Sequence, residues 1–171
     1  MTAGAEVRPV RTEADIAAVR TLVWAFFDFL RERYPDMLAE IDAYIEAQDV
    51  QGQLERFAET FLPPAGDCFV GRLDDLPLGC VMLKSKGDGT SEMNRMYVAP
   101  EARGHGLGRK LGEALIAAAR DRGDRTLFLD ALYRHVEALP LYESLGFERY
   151  TDPDAVGGDD GRFIHMKLDL T

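Results

Sequence analysis

The period of the hydrophobic pattern changes at Pro63-Pro64, and this restricts the chain to folds that combine helices with strands. Before the break, Ile16, Val19, Leu22, Val23, Phe26, Phe27 and Leu30 recur at the 3.6-residue spacing of one helical face. Thr12, with Asp15 three residues on, resembles a capping box at the start of that helix. Pro35 ends it, because proline lacks a backbone donor and clashes with the preceding turn. Leu38, Ile41 and Ile45 mark a second helical stretch, and Leu54, Phe57 and Phe61 a third. After the break the runs are short. Residues 68–73 and 78–84 read as strands joined by a turn at Asp74-Asp75, and Gly87-Asp88-Gly89 marks another turn. Residues 91–98 form a strand whose untidy alternation predicts a bulge. A helix over 106–122, closed by Gly123, precedes a strand at 126–130, a short helix at 137–145 closed by Gly146, and strands at 147–150 and 162–170. With residues 6–11 as a first strand, the pattern predicts an α/β (α+β) layer arrangement, a mixed sheet with helices on its faces.

The chain has 171 residues, which suggests one domain, 1–171, because domains typically hold about 100–200. A net charge of −10 disfavours nonspecific binding to nucleic acid or to an anionic membrane, so an anionic ligand needs a local basic patch. Cys68 and Cys80 stand alone, with neither CxxC spacing nor a histidine set, so neither a metal site nor a disulfide framework is expected. The N-terminal residues show no secretory pattern. The most apolar run, Leu22 to Leu30, contains Asp28 and falls far short of a membrane span. A cytoplasmic location is expected.

The basic patch lies in the stretch Val98-Ala99-Pro100-Glu101-Ala102-Arg103-Gly104-His105-Gly106-Leu107-Gly108-Arg109-Lys110. Alternate glycines allow close backbone approach and conformations closed to other residues. A helix start presents unpaired N–H groups, so loop and helix together could cradle a phosphate. Helix N-termini favour acids, yet residues 103–110 hold Arg103, His105, Arg109 and Lys110 and no acid. A bound polyanion would account for them; a glycine-rich turn with basic residues paired to nearby acids is the alternative. The spacing fits neither a P-loop nor a dinucleotide-binding fingerprint.

Arg103-x-x-Gly106-x-Gly108, after a strand ending Met96-Tyr97-Val98-Ala99-Pro100, resembles the coenzyme A pyrophosphate loop of the GNAT superfamily of N-acetyltransferases. Leu141-Tyr142-Glu143-Ser144-Leu145-Gly146-Phe147 is similar to a second block of that family. The resemblance covers residues 91–147 well, and the N-terminal part only as a first strand and helix pair. It implies a mixed, mostly antiparallel central sheet with helices on both faces, acetyl-coenzyme A as co-substrate, and an amine as acceptor.

Carried onto this sequence, the resemblance gives Met96, Tyr97 and Val98 main-chain contacts to pantetheine, with one N–H polarising the thioester carbonyl. It places residues 103–110 (Arg103, Gly104, His105, Gly106, Leu107, Gly108, Arg109 and Lys110) around the pyrophosphate. An amine must lose its proton before attack, which at a pKa of about 10.4 costs about 4–5 kcal/mol at neutral pH. Glu92 is the candidate general base, directly or through a water, and Tyr142 the candidate proton donor to the departing thiol. His165 reads as a surface or packed histidine, His135 has no evident partner, Trp24 reads as a packing or pocket-wall residue, and Met93 and Met96 read as core residues.

The acceptor is expected to be a primary amine of a small molecule or peptide. Asp152, Asp154, Asp159 and Asp160, with Glu32, Asp36, Glu40 and Asp42, crowd the two regions that frame the acceptor in the family, so acidic walls would favour a cationic amine. Solvated charge is the simpler reading of the same residues. A noncatalytic acyl-coenzyme A sensor, a different acyl group chosen near Met96 and Leu132, and protein lysine acetylation are the alternatives. Homodimers are common in the family, and no interface is legible in the sequence.

Overall fold

A computed structural model describes residues 4–132, 138–151 and 163–171. Strand β1 (Ala5–Pro9) leads into helix α1 (Glu13–Arg33), whose first turn is closed as the sequence suggests: Thr12 Oγ1 accepts from the Asp15 N–H at 3.1 Å. The Asp15 carboxylate does not complete a capping box. It is buried and accepts from Arg8 on β1 at 2.9 Å, with Arg72 at 3.7 Å, so it fastens the helix start to the sheet. Helix α1 ends before Pro35, and α2 (Leu38–Ala47), α3 (Val50–Glu55) and α4 (Phe57–Phe61) follow as short pieces.

Strands β2 (Gly66–Leu73), β3 (Leu76–Ser85) and β4 (Thr90–Val98) form a meander. Asp74 and Asp75 both take positive φ in the β2–β3 turn, as a tight hairpin requires. Helix α5 (Leu107–Asp121) crosses to β5 (Thr126–Leu132), and α6 (Leu139–Ser144), β6 (Glu148–Tyr150) and β7 (Phe163–Asp169) complete the order. Among the described residues seven strands run β1-β2-β3-β4-β5-β7-β6, with only β4 and β5 parallel. This is the mixed, mostly antiparallel sheet that the sequence implies.

Strand alternation splits the core into two layers. Val70, Cys80, Met82 and Tyr97 face α1–α4, where Val19, Val23, Phe27 and Phe61 are buried. Val81, Leu83, Met93, Leu127 and Leu129 face the other way, onto Leu107, Leu111 and Leu115 of α5 and Tyr142 of α6. Cys68 and Cys80 are both buried free thiols, and burial pushes both thiols up, that of Cys80 to about 12, so neither is a thiolate at neutral pH. Among the described residues, no helix is long and apolar enough to cross a membrane.

Candidate active site

Two irregularities in β4 define the site. Cys80 on β3 opposes Tyr97, yet Met82 opposes Asn94, so β4 carries one residue more than its partner there. This is the predicted bulge, and Arg95 occupies it with φ at +53°. The second irregularity is on the other edge. Parallel pairing with β5 runs only through Thr90–Thr126, Ser91–Leu127 and Glu92–Phe128. Beyond Glu92 the two strands are no longer joined, and the β4 edge that faces β5 is left without a ladder partner among the described residues. Backbone donors and acceptors need partners, so this edge, which includes Met96 and Val98, suits an extended ligand.

The loop after β4 leads into a helix start with free backbone donors. Gly106 is the N-cap of α5 in left-handed conformation, φ +77°, and no side chain caps the helix among the described residues. Lys110 N–H donates to the Gly106 carbonyl at 3.1 Å, which leaves the N–H groups of Leu107, Gly108 and Arg109 at the open helix end. Gly104, at φ +84°, and Gly106 have open space where a Cβ would stand, so backbone conformation alone demands glycine there. Gly108 differs: a Cβ would lie 3.2 Å from Leu141 Cδ2, so it is small because α6 packs on it.

The four basic residues of the loop do not act as one cluster. Arg103 Nε donates to the Val98 carbonyl at 3.2 Å, and its guanidinium lies over the Phe29 ring at 4.9 Å. Arg109 bonds to Ser144 Oγ and Glu113, and Lys110 reaches the Ala5 carbonyl at 3.0 Å. His105 is exposed. Arg109 and Lys110 therefore also tie α5 to α6 and β1, a role the sequence did not separate from anion binding.

Across the sheet from α5, the face of β4 and β5 beneath α2 and α3 carries ionisable groups. Glu92, opposite Lys84 on β3, is half-buried; burial first, and the Asp130 charge second, push its carboxyl above the usual range. Tyr44 on α2 is also pushed up, chiefly by burial. Arg95 Nη2 donates to Gln53 Oε1 on α3 at 3.2 Å. Asp130 Oδ1 lies 2.6 Å from His165 Nδ1, and the His165 ring stacks obliquely on Tyr150 at 5.8 Å.

Residues 20–147 match the Acetyltransferase (GNAT) family. The chain belongs to that family. An uncharacterized N-acetyltransferase of Schizosaccharomyces pombe is 34% identical over 129 residues, covering 74% of this chain and 77% of its own. Among solved structures, a GNAT-family acetyltransferase of Staphylococcus aureus superposes with a TM-score of 0.74 at 15% identity, covering 98% of this chain and all of that one. The PaiA N-acetyltransferase of Thermoplasma acidophilum, solved with coenzyme A, gives 0.70 at 16% identity, covering 97% of this chain and 99% of that one. These likenesses carry the fold, and family membership makes the protein an acyl-coenzyme A-dependent acetyltransferase.

In this GNAT protein Tyr142 sits in α6, whose first turn accommodates Pro140. Its side chain is buried, edge-on to Phe147 at 6.2 Å, and burial holds its hydroxyl protonated far into the basic range. Trp24 and Met96 are partly buried against the two cores and Met93 is buried, as expected of packing residues. His165 is packed as expected, and its pairing with Asp130 is new. His135, Asp152, Asp154, Asp159 and Asp160 lie outside the described residues. Of the acids on the helical side, Asp42 accepts from Arg31 at 2.8 Å, while Glu32 and Glu40 are exposed. Arg95, Tyr44, Asp130 and Gln53 escaped the sequence reading. Arg95 carried one signal, an odd spacing from Glu92 that only a bulge brings back to the same face.

Proposed function

We propose that this GNAT protein transfers an acetyl group from acetyl-coenzyme A to the primary amine of a small molecule or peptide, by direct attack with both reactants bound. The observation that carries this reading is Glu92, half-buried with a raised carboxyl pKa, at the last rung before β4 and β5 part. A carboxylate whose proton affinity is raised is a better base than a solvated one.

The residues fit acetyl-coenzyme A as co-substrate. The uncapped start of α5, with Gly104 and Gly106 in left-handed conformation, supplies N–H groups for a pyrophosphate. Arg103, His105, Leu107, Gly108, Arg109 and Lys110 belong to this cradle, the cations by charge and the others by backbone. The edge of β4 at Met96 and Val98, with Tyr97 between them, offers main-chain partners to the pantetheine arm. Acetyl-coenzyme A supplies an activated thioester carbonyl. A β4 N–H directed at the carbonyl oxygen stabilises the charge that develops there, worth about 2.7–4 kcal/mol per donor where such groups have been removed. Glu92 accepts the proton of the amine, directly or through water. Tyr142, kept protonated by burial, donates a hydrogen bond to the departing sulfur, and the proton taken up at Glu92 balances the one the thiol acquires from solvent.

Calorimetric titration with acetyl-coenzyme A, beside Arg103→Ala, tests the cradle. Micromolar binding that weakens in the variant, followed by thiol release with an amine, is the expected result. No binding by the unaltered protein would overturn the assignment of the loop.

A further inference from the structure

Arg95 is a charged side chain with an unfinished set of hydrogen bonds. Its backbone takes a left-handed conformation, φ +53°, that non-glycine residues adopt at a cost. The bulge thereby sends the side chain to the α1–α4 face, where Nη2 bonds to Gln53 at 3.2 Å. Nε is buried and has no hydrogen-bond partner, and no carboxylate lies within ion-pair distance of the guanidinium among the described residues. Arg95 is partly buried, and a neutral amide at Nη2 does nothing for the donor that Nε loses to burial. Buried guanidinium groups are ordinarily paired to carboxylates, because the fork of donors matches two oxygens. Tyr44 on α2 and, after it, Glu92 interact with Arg95 through space, but the Glu92 carboxylate does not come within ion-pair distance. The bulge accounts for the backbone conformation, and a ligand anion would supply the partner that Nε lacks.

Resting on the acetyltransferase reading, we infer that Arg95 binds the carboxylate of the acceptor, which is therefore a carboxylate-bearing amine of the amino-acid class. Glu92 lies three residues earlier, on the same face, where the amine must shed its proton. A zwitterion thus meets the two sites with matching charge: its ammonium end toward Glu92, its carboxylate toward Arg95. The same arrangement opposes polyamines, since a second cation would face the guanidinium. Gln53 tunes the pair from the rear by holding Nη2 without neutralising it.

The test is thiol release from acetyl-coenzyme A with a panel of α-amino acids, each beside its amide and its decarboxylated amine, with spermidine and phosphoethanolamine added. At least one amino acid is expected to exceed its amide and its decarboxylated amine in kcat/KM by about 10–100-fold. Arg95→Asn, which tolerates the left-handed backbone, should remove that preference by raising KM for the acid while the amide is little changed. Gln53→Glu, which gives Arg95 an internal carboxylate, should raise KM for the acid in the same way. Acetyl-coenzyme A affinity, measured by calorimetry, should be unchanged in both variants. Turnover of spermidine, phosphoethanolamine or decarboxylated amines as fast as any amino acid overturns this proposal and leaves the acetyltransferase reading intact. Acetyl-coenzyme A binding with no amino acid turned over overturns it too. Failure to bind acetyl-coenzyme A overturns both.

Discussion

Glu92 and Phe128 form the last rung between β4 and β5, and the strands part immediately beyond them. The carboxylate therefore stands where the cleft begins, on the face opposite α5, and its raised pKa follows from burial reinforced by Asp130. Glu92→Gln removes the base and keeps the shape. A fall in kcat of about 100-fold or more is expected, since positioned general bases contribute about 10²–10⁴. The acid limb of the unaltered enzyme's kcat should lie above the ordinary glutamate pKa of about 4.3 and should vanish in the variant. An acid limb shared by both proteins would assign the base elsewhere, with the Asp130–His165 pair the next group to test.

Gly106 and Gly108 are small for different reasons, and substitution separates them. Gly106→Ala forces a Cβ into left-handed backbone, at about 1–2 kcal/mol, with no steric neighbour to blame. Urea denaturation should show that loss, and calorimetry a weaker affinity for acetyl-coenzyme A. Gly106→Asn should recover most of the stability because asparagine tolerates this conformation. Gly108→Ala instead presses on Leu141, so its effect should come with a shift of α6 and a change at Tyr142.

Tyr142→Phe tests hydrogen-bond donation to the leaving sulfur. A free thiol of pKa about 8.5 departs readily, so the expected loss in kcat is about tenfold, with acetyl-coenzyme A affinity unchanged. The edge contact with Phe147 survives the substitution, and stability should move by less than about 1 kcal/mol. Because burial keeps the hydroxyl protonated, the unaltered enzyme should show no basic limb from Tyr142 below about pH 10. Equal kcat values for the two proteins would leave Tyr142 a packing residue.

Local signals carried most of the fold. The Thr12 cap, the proline after α1, the Asp74-Asp75 hairpin and the alternation of β2 and β3 are short-range properties, and the structure reproduces each within a few residues. Helix α6 carries Pro140 in its first turn, where a proline in a short helix is tolerated. The glycines of the loop were legible as glycines, but their separate causes were not. A positive φ at Gly106 and a leucine over Gly108 look alike in one dimension. Arg95 was hidden for a related reason: period-two reading assigns it to the α5 face, and only the bulge turns it toward Gln53. The partnership of Asp130 with His165 depends on β5–β7 register, a long-range pairing that no local pattern encodes.

The last prediction concerns the stability that Glu92 gives up. Its folded-state pKa is raised, so the folded chain holds this proton more tightly than the unfolded chain does. Between the two pKa values, raising the pH removes the proton from the unfolded state first, and stability falls with rising pH through that window. Any contribution from Glu92 is thus present below about pH 4.3 and lost as pH climbs past its folded-state value. Glutamine does not titrate and carries no charge into the site. Glu92→Gln should therefore be more stable than the unaltered protein at pH 7, and this advantage should shrink to nothing as pH is lowered to about 4. Thermal midpoints of the two proteins across that range, with acetyl-coenzyme A absent, measure the difference directly. An inactive variant that is also more stable at neutral pH would mean that the carboxylate is held in its cleft against the preference of the fold. A variant less stable at pH 7 would mean instead that the charged form is stabilised there, by Lys84, Lys86 or Arg95, and that Glu92 is poorly suited to take a proton.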